Sequence, residues 1–193
     1  MGKARLEAFS DGVIAVIITI MVLDLKIPHG EDLDALVPLL PVFTSYVLSY
    51  VMVGIYWNNH HHMFHAVERV TGPVLWANLL LLFWLSLVPF VTGWMGENHF
   101  AALPVAVYGG ILLMSAVSYS ILVAVLRHNA RNTRLAAAFG KDLKGKISLV
   151  IYAVAIPLAF ASCWIALGLY VLVGMIWFIP DRRIEERAEE RAG

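Results

Sequence analysis

Long apolar runs separated by short polar turns extend over most of the chain. They occupy residues 8–27, 36–58, 73–95, 101–126, 146–162 and 164–180. About 20 apolar residues are needed to cross the hydrocarbon core of a bilayer as a helix. The pattern therefore predicts an all-α integral membrane protein with six transmembrane helices per subunit.

The last two runs have no charged residue between them, so their division is a separate question. Residues 147–180 are uncharged and would form one helix of about 51 Å. Since the hydrocarbon core is only about 30 Å thick, we expect two short helices that turn near Ser162 to Gly168. The alternative is one long tilted helix with a break at Pro157.

The composition agrees with a membrane protein. Hydrophobic residues make up 60% of the 193 positions and charged residues 15%, against roughly 25% charged in soluble domains. The first apolar run lacks a small-residue cleavage site, so no cleavable signal peptide is expected. The single cysteine, Cys163, excludes an intrachain disulfide and a cysteine-pair metal motif. The formal net charge of zero gives no indication of a nucleic-acid partner.

The basic residues are distributed unequally between the two sides of a six-helix arrangement. Thirteen of the 14 Lys and Arg residues fall on the side of the two termini, and only Lys26 falls on the other. Such an excess marks the cytoplasmic side. We therefore predict a multi-pass protein of the cell membrane with cytoplasmic N- and C-termini. Residues 1–180 are assigned to a transmembrane domain and residues 181–193 to a charged cytoplasmic tail.

The first helix differs from an ordinary lipid-facing anchor. Only twelve uncharged residues separate Asp11 from Asp24, about 18 Å of helix. We therefore predict a helix buried among others, which begins with a polar cluster of Arg5, Ser10 and Asp11. Ionisable side chains at membrane depth are candidates for a functional role.

One stripe of this helix is apolar except for a single hydroxyl. It consists of Gly12, Val16, Thr19, Ile20 and Leu23. As a packing surface, the stripe would face the core, with the Thr19 hydroxyl bonded to the carbonyl of Ala15. As a pore lining, copies around a symmetry axis would form a narrow apolar constriction with a ring of hydroxyls inside it.

Histidines cluster at the end of the second helix, in the segment WNNHHHMFHAVER. His61, His65 and Glu68 share one face and form a plausible ligand set for Zn²⁺ or Fe²⁺. We nevertheless predict no metal, because the HExxH signature is absent and no other helix completes a site. His60, His61 and His62 are instead expected near Asp11 and Arg5 in a structural polar network, and their spacing does not distinguish them.

The motif FSDGVxAxxxTxxVLDLK, with an arginine four residues before its phenylalanine, resembles the prokaryotic branch of the transmembrane protein 175 potassium channels. The matching positions are Arg5, Phe9, Ser10, Asp11, Gly12, Val13, Ala15, Thr19, Val22, Leu23, Asp24, Leu25 and Lys26. Trp57, Asn78 and Pro89 agree more loosely. The resemblance implies a homotetramer in the lipid bilayer, with the first helix lining a central pore that favours K⁺.

The same resemblance implies a role for each pore residue. Val16 would be the narrowest hydrophobic layer, Ile20 and Leu23 the layers above it, and Thr19 a selectivity ring. Val16 is smaller than the isoleucine or leucine expected there. No TVGYG-like loop exists in the chain, so a carbonyl cage is not available. We expect a weakly discriminating K⁺ channel with no cofactor.

An ion- or proton-coupled transporter is the alternative function, with Asp11, Asp24 and the histidines as a relay. The sequence contains neither an inverted repeat nor a pair of broken helices, the features typical of such transporters. We find no nucleophile–base pair in the sequence, and we predict no enzymatic activity.

Overall fold

The computed structural model describes residues 2–65, 67, 69–128 and 143–178. These residues form the helices α1 Lys3–Leu23, α2 Leu40–His65, α3 Gly72–Ser86, α4 Val88–Glu97, α5 Ala102–His128, α6 Leu143–Leu158 and α7 Cys163–Phe178. A 3-10 helix, Leu33–Leu39, leads directly into α2. The described part of the chain contains no strand, and the predicted all-α fold is confirmed.

The helices form six segments, four of which are candidates to span a membrane. Four segments are long and apolar enough to span it, namely Lys3–Leu23, Leu33–His65, Gly72–Glu97 and Ala102–His128. Together with the 16-residue helices α6 and α7 they make six helical segments, the predicted number. Helices suit this environment because they satisfy their backbone hydrogen bonds internally, where lipid offers no partner.

The third predicted helix, residues 73–95, is divided in two. Helix α3 ends at Ser86 and α4 begins at Val88, with Pro89 in its first turn. Proline has no N–H to donate and its ring clashes with the carbonyl four residues earlier, so it breaks a helix interior and is tolerated at a helix start. The predicted third span is therefore one segment, Gly72–Glu97, with a break at Leu87 that the apolar run did not indicate.

The described part of the uncharged run, residues 147–178, forms two helices, as predicted. Helix α6 ends at Leu158, and the amide of Ser162 donates to the carbonyl of Leu158 over 2.8 Å to close the turn. Pro157 lies in the last turn of α6, and α7 begins at Cys163. The turn thus directly follows the proline and lies a few residues before the expected position.

Helix α1 packs against the protomer with one face only. Its buried residues are Leu6, Ser10, Ile14, Ile17 and Met21, which recur at helical spacing. This face contacts α2, α3 and α4, while α5 packs between α3, α4, α6 and α7. The opposite face of α1 is uncovered. The predicted tail, 181–193, lies outside the described residues.

Candidate pore-lining face and polar cluster of the first helix

The stripe singled out in the sequence lies on the uncovered face of α1. Gly12 and Thr19 are exposed, and the exposed fractions of Val16, Ile20 and Leu23 are 54%, 45% and 80%. The core-packing interpretation of this stripe is therefore wrong within the protomer, because the core face of α1 is a different set of residues. In a membrane protein such an apolar face is covered either by lipid or by another protein surface.

Thr19 carries the single hydroxyl of this stripe. Its Oγ1 donates to the carbonyl of Val16 over 2.9 Å, and not to Ala15 as the packing interpretation supposed. A threonine in a helix can bond the carbonyl three or four residues back. Because the proton is donated into the helix, the oxygen lone pairs remain available as acceptors on the exposed side.

A groove runs beside the stripe, between α1 and the break that separates α3 from α4. It encloses about 780 Å³ and is open to the surroundings. Its lining includes Phe9, Gly12, Val16, Ile20, Asp24, Ser86, Pro89 and Phe90. The stripe and the groove together form a continuous uncovered strip along α1.

Asp11 is bound by α2 and not by Arg5. The indole Nε1 of Trp57 donates to Asp11 Oδ1 over 3.0 Å. The side chain of Arg5 is exposed, and the structure shows no ion pair between Arg5 and Asp11. The two residues are six positions apart, about 240° around a helix of 3.6 residues per turn, so they face different directions. Arg5 and Asp11, both members of the predicted polar cluster, are therefore not paired with each other in the protomer.

A fully buried chain of hydrogen bonds joins α1, α2 and α3. Asn78 Nδ2 donates to Ser10 Oγ over 2.9 Å, and Ser10 Oγ donates to the carbonyl of Leu6 over 2.9 Å. Asn78 Oδ1 lies 2.8 Å from His60 Nε2, which must carry the hydrogen because a carbonyl oxygen only accepts. His60 is thus the histidine in the network, with Asn78 as its partner. Asn78 makes the interhelical hydrogen bonds that a polar side chain within a membrane helix predicts.

The other two predicted histidines, His61 and His62, take no part in this series of hydrogen bonds. His61 and His62 are partly buried, and the ring of His61 packs on Trp57 at 6.0 Å and on His65 at 4.5 Å between centroids. Among the described residues, no group of three His, Cys, Asp or Glu side chains is arranged to hold a metal ion. Glu68, the third member of the candidate metal set, lies outside the described residues.

Comparison with known proteins gives consistent results along the whole chain. Residues 5–89 match the family described as endosomal/lysosomal potassium channel TMEM175. A potassium channel of Chryseobacterium sp. is 52% identical over 98% of this chain and 100% of its own length. A potassium channel of Streptomyces collinus is 31% identical, with 91% of each chain covered.

A solved structure has the same fold. The lysosomal potassium-selective channel TMEM175 homolog from Chamaesiphon minutus superposes with a TM-score of 0.76 at 29% identity, covering 91% of this chain and 95% of that one. The mouse endosomal/lysosomal proton channel TMEM175 is 29% identical over 84% of this chain, which spans only 36% of the mouse protein. Since its bacterial relatives match it over nearly their full length, the chain belongs to the prokaryotic branch of the TMEM175 family.

Proposed function

We propose that this protein is a weakly selective K⁺ channel of the cell membrane, whose pore is lined by α1 from four identical subunits. The observation that carries the proposal is the two-sidedness of α1. One face, which includes Ile14, Ile17 and Met21, packs in the protomer core, while the face with Val16, Thr19 and Leu23 is exposed. The bacterial relatives and the solved homologue, which are named potassium channels, support the same function.

Lipid is a poor partner for the exposed face of α1. Asp11 and Asp24 bound its apolar stretch, and Asp24 is exposed. A charged side chain at membrane depth needs water or a partner. A water-filled axis surrounded by four copies supplies both.

In such a tetramer the exposed side chains of α1 form successive layers along the axis. Val16 gives an apolar ring that opposes wetting, and Ile20 and Leu23 give further apolar rings toward the end of the helix. The oxygen of Thr19 keeps its lone pairs free and offers partial coordination to an ion that has lost water. K⁺ releases its hydration shell at lower cost than Na⁺. Weak hydroxyl ligands therefore give a modest preference, on the order of tenfold for each 1.4 kcal/mol of differential cost.

The orientation and chemistry of the proposed channel follow the sequence predictions. The excess of Lys and Arg on the side of the two termini supports a cytoplasmic position for both. The proposed channel lies in the lipid bilayer and conducts K⁺. Its conduction needs neither a cofactor nor a catalytic residue.

The lack of titratable side chains on the exposed face of α1 between Asp11 and Asp24 disfavours a coupled transporter. Asp11 and Asp24 are about 20 Å apart along the helix, and Thr19 is the single polar side chain on the exposed face between them. His60 is buried and bonded to Asn78. A relay of titratable groups would need closer spacing than this arrangement provides.

Single-channel recording of the purified protein in a planar bilayer tests the proposal. We expect unitary K⁺ currents and, under bi-ionic conditions, a reversal potential displaced toward K⁺ over Na⁺. Electrically silent bilayers combined with substrate-coupled ion uptake into vesicles would contradict the channel and favour a transporter.

A further inference from the structure

A carboxylate lies free at the C-terminal end of α1. Asp24 is the residue that directly follows the helix, it is exposed, and it lines the groove beside Val16 and Ile20. Its carboxylate makes no hydrogen bond or ion pair with another described residue. On the other side of the groove, Gly93 of α4 lies close to this carboxylate, since a Cβ at that position would be in van der Waals contact with Asp24 Oδ2 at 3.5 Å.

Lys26, the basic residue two positions after Asp24, forms an ion pair with Glu97. Lys26 Nζ lies 2.7 Å from Glu97 Oε1, at the end of α4. The hydrogen bond and the negative charge of Glu97 raise the pKa of Lys26 above its ordinary value, so the ammonium stays charged. Because both side chains are exposed, the pair contributes little to stability. The pair instead determines the position of the Lys26 charge, because it holds the ammonium against α4.

The backbone adds to the negative potential at this end. The last carbonyls of a helix have no partner within it and carry the negative end of the helix dipole, which favours cations. Asp24 is the residue directly after Leu23, so its negative charge belongs to the same helix end as these carbonyls. A paired Lys26 therefore leaves the end of α1 with a net attraction for cations.

We propose that Asp24 draws permeant cations to the outer entrance of the pore, and that the Lys26–Glu97 ion pair prevents the neighbouring ammonium from cancelling this attraction. The inference rests on the proposed channel function. Fixed charge at an entrance raises the local concentration of the opposite ion. The effect is screened by salt, because the Debye length falls from about 30 Å at 0.01 M to about 3 Å at 1 M.

The unitary K⁺ conductance as a function of KCl concentration tests the role of Asp24. We expect Asp24→Asn to lower the conductance at least about twofold in dilute KCl and to match the wild type near 1 M, where the charge is screened. Asp24→Glu should retain the wild-type curve. Asp34→Asn is the matched control, because Asp34 is an exposed acid in the 3-10 helix that does not line the groove.

A double-mutant series tests the ion pair independently of Asp24. Glu97→Gln releases the ammonium of Lys26 and should lower the conductance in dilute KCl, as Asp24→Asn does. The double variant Lys26→Gln with Glu97→Gln removes both charges and should restore the wild-type conductance. This rescue also shows that the single variant is folded.

The outcomes separate the two proposals. Wild-type K⁺ currents combined with an unchanged Asp24→Asn curve in dilute KCl would overturn the inference and leave the channel intact. Failure of the double variant to restore the conductance of Glu97→Gln would likewise overturn the role of the ion pair. A wild-type protein without unitary currents would overturn the channel itself, and the inference with it.

Discussion

The indole nitrogen of Trp57 on α2 donates a hydrogen bond to the carboxylate of Asp11 on α1, with 3.0 Å between Nε1 and Oδ1. Asp11 directly precedes Gly12, the first residue of the exposed stripe. The bond therefore constrains the rotation of α1 about its own axis, and with it the side chains that face the proposed pore. The buried contact of Ser10 with Asn78 constrains the same turn from the other side.

The first prediction concerns the role of Asp11. Asp11→Ala removes the acceptor of the Trp57 bond, and a hydrogen bond to a charged group contributes about 1.5–3 kcal/mol. We expect the assembled protein to have a lower thermal midpoint. Size-exclusion chromatography of samples heated to increasing temperatures measures it. Trp57→Phe is the matched variant, since it keeps a ring but removes the donor, and it should give a similar loss. Normal assembly with an altered reversal potential would instead make Asp11 a pore residue.

The second prediction concerns the buried chain through Asn78. Asn78→Ala leaves Ser10 without a donor and His60 without an acceptor, and each buried unsatisfied group costs about 1–3 kcal/mol. We expect a loss of thermal stability larger than that of Asp11→Ala. Asn98→Ala is the control, because Asn98 is exposed and bonds only the carbonyl of Trp94 in its own helix turn. Equal stability of the two variants would mean that the hydrogen bonds of Asn78 do not hold α1 in position.

The third prediction concerns the assembly of the subunits. In a Cys163→Ala background, Leu23→Cys should form disulfide-linked dimers readily, because Leu23 is highly exposed on the face assigned to the axis. Ile121→Cys is the control and should crosslink poorly, because Ile121 is also exposed but lies on α5, which is not assigned to the axis. Non-reducing gels of membranes treated with a mild oxidant give the measurement. The reverse pattern would place α1 outside the centre of the assembly.

The fourth prediction concerns selectivity and conductance. Thr19→Val removes the exposed hydroxyl at nearly constant volume, so the K⁺/Na⁺ permeability ratio should fall, by up to about tenfold for 1.4 kcal/mol of lost discrimination. Val16→Ala should raise the unitary conductance, since a smaller apolar ring wets more easily. Bi-ionic reversal potentials and unitary currents measure the two effects. An intact current with an unchanged reversal potential in Thr19→Val would leave dehydration alone to explain selectivity.

Thr44→Val controls for the loss of a threonine hydroxyl in general. Thr44 is exposed on α2, and its Oγ1 donates to the carbonyl of Leu40 in the same helix. Its replacement should leave the reversal potential unchanged. A shift as large as that of Thr19→Val would mean that selectivity does not depend on a specific ring of hydroxyls.

Local pattern was sufficient for the architecture. The lengths of the apolar runs predicted six membrane passes, because the thickness of the hydrocarbon core limits how long an apolar helix can be. The helical period identified Val16, Ile20 and Leu23 as one stripe, and the structure places them together on an exposed face. The break before Pro89 was missed, since an apolar run records hydrophobicity and not the loss of a backbone donor.

The partners of the polar residues were decided only by tertiary packing. Trp57 meets Asp11 across 46 positions of sequence, and Asn78 meets Ser10 across 68. His60, His61 and His62 are consecutive on α2, and each successive residue is rotated by about 100° around the helix. Of the three, His60 faces α3, where it bonds Asn78. Which of them is buried depends on how the helices are rotated against one another, and this rotation follows from contacts between residues far apart in the chain.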